Sequence, residues 1–388
     1  MKAPSSVVIV GAGTAFSLLG DQALYAILPT YYEELGLLPF QVGILLSANR
    51  WVRLFTNHVA VVVCRRGAPH RLLMGALAIG AGCTAAYGLS SSFAVLLGLR
   101  LLWGLCWSFI RQIGLMAVVN SSGGRVGQLM GLYSLITRMG SVAGNFAGGL
   151  GHDLLGFTGV MMVFAVCSLV AVPLGLGARP NPASPPDRTG GRVGAGLLVC
   201  GLVLGGVGQG VVMSTLGLVL KEALGETVQV AGWTIGIATV TGALMGGRWV
   251  ADALAPLWGW MADRLGRQWG AGLFFGLGAI VLAAAALAPS ATVLIGAVLC
   301  FYLCATGAWL VVAAEAGVRG PGAVAWYVTA ADLGSALGPL VAWLGPQFEL
   351  PTPIIFWVGA ALYSVAACAG MVSFSAEKNE QGKSGKVE

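Results

Sequence analysis

Several ionisable residues interrupt long apolar stretches of this chain: Asp21, Arg50, Arg53, Arg100, Arg138, Arg248, Asp252 and Asp332, with Arg111 and Glu315 nearer the ends of such stretches. A charge surrounded by hydrocarbon costs several kcal/mol unless it is paired or wetted, so each marks a place where a proton, an ion or a charged ligand is handled. Counting about 1.5 Å per residue, Asp21 and Arg100 lie at the same depth, roughly a third of the way in from one face, where they can pair. A carboxylate beside a guanidinium in a medium of low dielectric can take up and release a proton, which makes Asp21 the candidate proton-coupling group. Interior arginines outnumber interior carboxylates, and that imbalance points to an anionic or zwitterionic ligand. Uncharged polar residues in the same stretches, among them Gln22, Asn49 and Asn145, fit either a cavity lining or bonds between helices.

Other chemistries find no residues. No apolar stretch carries a Ser/His/Asp set, and the three histidines, His58, His70 and His152, are scattered, so no enzyme is expected. The eight cysteines show no paired C-x-x-C spacing, which argues against a disulfide scaffold or a structural metal site. Val8-Ile9-Val10-Gly11-Ala12-Gly13 imitates the start of a dinucleotide-binding turn, but Phe16 stands where the third glycine belongs. Neither a cofactor nor a nucleotide-driven pump is expected.

The elements that must position these charges follow from composition. Of 388 residues, 57% are hydrophobic, 60 are glycine and only 9% are charged. Ordinary soluble domains carry roughly 25% charged residues. A bilayer core about 30 Å thick needs roughly 20 apolar residues per helix, and such a stretch recurs about twelve times. Continuous apolar runs of this length are helices, because barrel strands alternate in shorter pieces. The expected fold is therefore all-α and integral to the membrane, about twelve transmembrane helices in two bundles of six, with the lipid bilayer as its solvent.

The Pro- and Gly-rich stretch 179–192 divides the chain into a bundle over residues 1–178 and a second over 193–376, followed by a solvated, disordered tail over 377–388. The halves repeat each other. Arg50-Trp51-Val52 recurs as Arg248-Trp249-Val250, and Tyr133, Arg138, Gly140, Ser141 and Gly144 recur as Tyr327, Asp332, Gly334, Ser335 and Gly338. One set of alternate loops holds Arg65, Arg66, Arg71, Arg125, Arg179, Arg188, Arg192, Arg264, Arg267 and Arg319, whereas the other holds Lys221 with Glu33, Glu34, Asp153, Glu222, Glu226 and Glu349. Positive loops stay in the cytoplasm, so both termini are expected there, in a multi-pass protein of the plasma (inner) membrane. The basic balance thus reflects topology, and no nucleic acid is expected as a partner.

Gly259-Trp260-Met261-Ala262-Asp263-Arg264-Leu265-Gly266-Arg267 resembles the G-x-x-x-D-R-x-G-R loop of the major facilitator superfamily. The corresponding first-half loop, Val61 to His70, has lost the glycine and the aspartate. Leu96-x-x-x-Arg100-x-x-Trp103-Gly104 is similar to the family's R-x-x-Q-G element, with Trp103 in place of glutamine. Gly140-x-x-x-Gly144-Asn145-x-x-Gly148-Gly149 is similar to the glycine-proline element of the antiporter branch, with Asn145 in place of proline, while Gly334-x-x-x-Gly338-Pro339 keeps the proline.

The resemblance implies secondary active transport of a small organic solute, namely proton-coupled efflux by alternating access, in a monomer. Uptake of an organic anion by proton symport or facilitated diffusion is the alternative the arginines suit. A transport-inactive sensor or scaffold is the alternative suited by the decayed first-half loop. The family's arrangement also implies that Arg50 or Arg53 faces Asp332 and that Arg138 faces Asp252, as pairs that either re-form during transport or fix helix registry. Gly259, Asp263, Arg264, Gly266 and Arg267 are then the conformational loop, and Gly140, Gly144, Gly148, Gly149, Gly334, Gly338 and Pro339 the helix-packing positions.

Overall fold

The computed structural model describes residues 5–121, 126–178, 193–230 and 232–384. The chain is helical almost throughout. Helices α1 (Ser5–Tyr31), α2 (Pro39–Arg66), α3 (Pro69–Gly88), α4 (Phe93–Ser121) and α5 (Val126–Val170) are followed by a 3-10 turn, Val172–Gly177. After the linker come α6 (Ala195–Val203), a π-helical stretch Leu204–Val212, and α7 (Met213–Leu224) as one continuous rod. The rest is α8 (Ile237–Ala253), α9 (Ala255–Leu265), α10 (Arg267–Ala286), α11 (Ala291–Arg319), α12 (Pro321–Ala342), the single turn α13 (Leu344–Gln347) and α14 (Pro353–Ser384).

Local sequence explains the breaks. Pro39 and Pro69 open α2 and α3, where the missing N–H costs nothing. Within α5, Gly156 adopts φ 72°, a left-handed conformation that only glycine takes readily, and the chain turns there into a second span. Among the described residues, eight helical stretches are long and apolar enough to cross a membrane. Helix α14 continues to Ser384, beyond the point at which sequence places a disordered tail, and residues 385–388 lie outside the described residues. The expectation of an all-helical chain misses one small element, the antiparallel hairpin of β1 (Thr227–Val230) and β2 (Trp233–Gly236) between α7 and α8.

The chain forms two compact units, residues 1–185 with 216–246, and residues 186–215 with 247–388. Each is built around a seam of glycines, because lipid gives helices no hydrophobic reason to associate and close backbone approach must supply the contact. In the first unit, Gly140, Gly144 and Gly148 recur every fourth residue along α5 and press on α1 at Ala15, Leu19 and Ala23. A Cβ at Gly144 would stand 2.8 Å from the Leu19 carbonyl oxygen. In the second unit, Gly334 and Gly338 of α12 press on Leu202 at the end of α6 and on Gly206 and Gly210 of the π-helical stretch. The same pairing of elements in both units is the sequence repeat expressed as packing.

Gly131, on the same helix as the first seam, faces open space and serves as its control. Gly144→Val is expected to lower the stability of the purified protein by about 1–3 kcal/mol through overpacking. Gly131→Ala should leave it unchanged or slightly higher, since alanine is the better helix former. Thermal unfolding of the two variants in one detergent checks this.

Candidate functional site

Asp21 and Arg100 form a buried polar cluster in the first unit. Both are buried, at 3% and 2% exposure, and the Arg100 guanidinium is bonded directly to the Asp21 carboxylate. The guanidinium is spread over three helices. Its Nε donates to the Leu45 carbonyl of α2 at 2.9 Å, and its second terminal nitrogen reaches the Tyr25 hydroxyl of α1 at 3.5 Å. That hydroxyl in turn donates to the Leu46 carbonyl at 3.0 Å. A guanidinium has donors in a fixed fork and no acceptor, so such a set of carbonyl, hydroxyl and carboxylate oxygens is what it requires when removed from water.

The carboxylate is equally well supplied. Its Oδ1 accepts from Arg100 and from the Asn49 amide at 3.1 Å, and its Oδ2 accepts from the Gln22 amide, also at 3.1 Å. Arg50 and Arg100 each place a guanidinium over the Tyr25 ring, 5.6 Å from its centroid. That is cation–π range, and Arg50 is itself 8% exposed. Beside the pair lies an apolar crevice bounded by Leu24, Leu28, Tyr87, Leu96 and Phe157.

Two sequence features explain how the elements come this close. Gly104 lets α4 rest on the backbone of Asn49, where a Cβ would come within 2.9 Å of the Asn49 Cα. Trp103, where the resembling motif has glutamine, is 1% exposed and stacks on Trp107 with ring centroids 5.6 Å apart. It fills the site's flank with apolar surface. Asn49, which helps complete the pair, is legible in the sequence only as a polar residue in an apolar stretch.

The other charged positions are distributed over both units. Arg53 follows Arg50 on α2 and is half-buried, and Arg138 on α5 is exposed. Asp252 and Asp332 belong to the second unit, both half-buried, and Asp252 accepts from the Thr306 hydroxyl of α11 at 2.8 Å. Of the charged residues expected at the site, the structure brings Asp21, Arg50 and Arg100 together around Tyr25.

The loop whose sequence resembles the family's G-x-x-x-D-R-x-G-R element joins α9 to α10. Gly266 takes φ 78° and turns the chain, Gly259 faces open space, and Arg264 stacks on Trp260 with its guanidinium 4.1 Å from the ring centroid. Arg267 reaches α11, where its Nε lies 2.7 Å from Glu315. Glu315 also pairs with Arg319 at 2.8 Å and is 4% exposed. The sequence places Glu315 near a helix end and gives it no function, yet it is the buried anchor of this loop. Its spacing of four residues from Arg319 was the available signal. The side chain of Asp263 lies outside the described residues.

Breaking a buried pair on one side leaves an uncompensated charge, at about 3–5 kcal/mol, whereas neutralising both sides does not. Asp21→Asn and Arg100→Gln are each expected to destabilise the protein strongly, and the double variant much less than their sum. A double-mutant cycle on unfolding midpoints measures that coupling.

Residues 10–253 match the Major Facilitator Superfamily. No curated protein matches the chain by sequence. Its fold is similar to solved structures. A variant of the nucleoside transporter NupG matches with TM-score 0.76 and 12% identity over 95% of this chain and 99% of that one. A bacterial homologue of the human lysosomal transporter Spinster, inward-facing and occupied, matches with TM-score 0.74 and 14% identity over 97% and 94%. Tetrameric PepTSo2 matches with TM-score 0.70 and 15% identity over 99% and 98%. At such identities the likeness is one of fold. With charges buried in apolar helices, the repeated halves and the family match over most of its length, the chain belongs to the Major Facilitator Superfamily and is a multi-pass membrane transporter, not an enzyme.

Proposed function

We propose that the protein is a proton-coupled secondary transporter of a small organic solute, with Asp21 and Arg100 as its coupling centre. It spans the plasma (inner) membrane twelve times as a monomer, with both termini in the cytoplasm, and works by alternating access. The observation that carries this reading is the burial of one carboxylate and one guanidinium, bonded to each other and to neighbouring polar groups, beside an apolar crevice.

The chemistry follows from charge. In the paired state the centre is neutral. A proton taken up by the Asp21 carboxylate breaks its bond to Arg100 and leaves a net positive charge in a medium of low dielectric. That charge expels a cationic solute, which gives efflux in exchange for protons, the mode of the antiporter branch. Asn49 and Gln22 can follow the change, because an amide offers a donor on one side and an acceptor on the other.

A second reading has its own support. The same positive charge attracts an anion, and Arg50 lies against the same tyrosine ring. An anionic solute would then enter with the proton, giving symport. The sign of the solute's charge separates the two modes.

A stability screen over nucleosides, organic acids and lipophilic cations identifies a solute by its thermal shift, and proteoliposomes under an imposed pH gradient then give direction. Asp21→Asn, which leaves Arg100 unpaired as a protonated carboxyl would, should bind a cationic solute more weakly and lose gradient-driven accumulation. Accumulation retained in that variant defeats the coupling assignment.

A further inference from the structure

Between α7 and α8 stands the one sheet among the described residues, the hairpin of β1 and β2, which pairs with no other strand. Its base is fixed. Gly225, at φ 80°, turns the chain out of α7, the Ile237 amide donates to the Glu226 carbonyl at 2.9 Å, and α8 begins at the residue after β2. Beside the base, the Asp153 carboxylate of α5 occupies the room that Gly236 leaves and accepts from the Thr239 amide at 2.9 Å.

The register sorts the hairpin's side chains by polarity, since residues opposite each other on paired strands share a face. Thr227 stands opposite Gly236 and Gln229 opposite Thr234, and the Gln229 amide donates to the Thr234 hydroxyl at 2.6 Å across that face. To the other face belong Val228 with Ile235 and, at the tip, Trp233. Val228 and Ile235, next to the base, are half-buried, whereas Trp233 is 77% exposed.

Two strands by themselves are marginally stable at best in water, so an apolar face on a lone hairpin needs a cover. The hairpin's place in the chain says what that cover is. One end leaves the apolar stretch 195–224 and the other is held against α5, itself part of a stretch able to cross a membrane. Lys221, Glu222 and Glu226, just before β1, mark where the first of these meets water. On α5, Leu154 and Leu155 are exposed next to Asp153, so apolar surface also flanks the base. Four residues of strand reach about 13 Å, which keeps the tip close to the bilayer surface. A hairpin upright in water would show both faces to solvent and gain nothing from sorting them. Laid over on its apolar face, it puts Trp233 among the lipid headgroups, where a ring with an apolar body and one N–H is favoured.

We propose that the hairpin 227–236 lies on the membrane surface with its apolar face down and Trp233 as an anchor in the headgroup layer, so that its partner is the lipid itself. The anchor sets the depth at which α8 starts, because no residue intervenes between β2 and that helix. It requires no solute and stands independently of the role of Asp21.

Fluorotryptophan incorporated into the full chain in lipid vesicles tests this. The fluorine resonance that disappears in Trp233→Phe belongs to Trp233, and a nitroxide carried near the top of the lipid acyl chains should erase it. Survival of that resonance overturns the proposal, whether a water-soluble gadolinium chelate erases it instead, as for a loop standing in water, or neither reagent does, as under a second copy of the chain. A second arm needs no label. In the same vesicles, Trp233→Asp should raise hydrogen exchange over 227–236 roughly tenfold, through loss of the partial burial of a large ring. Exchange left unchanged in that variant overturns the proposal as well.

Discussion

Asp21 and Arg100 can remain charged inside the first unit only because each is the other's partner, and three helices are registered by that bond. Arg100 of α4 takes a main-chain carbonyl of α2 while its guanidinium engages a carboxylate of α1, and Tyr25 ties α1 to the next carbonyl of α2. Moving any of the three helices by a turn leaves a buried donor without an acceptor. Such a pair is poor value as a source of stability, since well-packed apolar residues in its place are often as stable or more so. A charge pair with three supporting amide and hydroxyl groups is better understood as a device for handling charge.

The glycine seams make room for that device. With lipid on the outside, helix contact comes from van der Waals approach, and glycine at every fourth position lets α5 lie on α1 backbone to backbone. The two units solve this alike but not identically. Pro339 removes an N–H from α12 shortly before the helix ends at Ala342, whereas Asn145, at the corresponding place on α5, keeps its N–H and the helix runs on. Asn145 is fully buried with its amide atoms unbonded to other protein groups, so the position carries polarity where the resembling motif carries a rigid ring.

Much of this was legible in the sequence, because the governing rules are short-range. Apolar length gives spans, four-residue glycine spacing gives seams, and depth along a helix is simple arithmetic, which is how Asp21 and Arg100 come to be matched. What the sequence hid depends on which faces meet. Asn49 and Gln22 look like any polar residues in apolar stretches until α2 and α1 are placed side by side. Glu315 occupies a helix-end position that permits exposure, and it is the approach of Arg267 from the turn at Gly266, together with Arg319, that covers it. Asp153 and Thr239 are 86 residues apart, in segments with no shared pattern, and no periodicity connects them.

The two kinds of polar contact in the first unit have different strengths for a physical reason. Asp21 and Arg100 are almost wholly withdrawn from water, so a single proton at that carboxylate changes the local energy greatly. Lys221 and Glu33 are 21% and 63% exposed, and water and salt screen them, so such a tie is weak and easily reversed. Asp153 lies between these limits, at 19% exposure, and is held ionised by its hydrogen bonds throughout the neutral range.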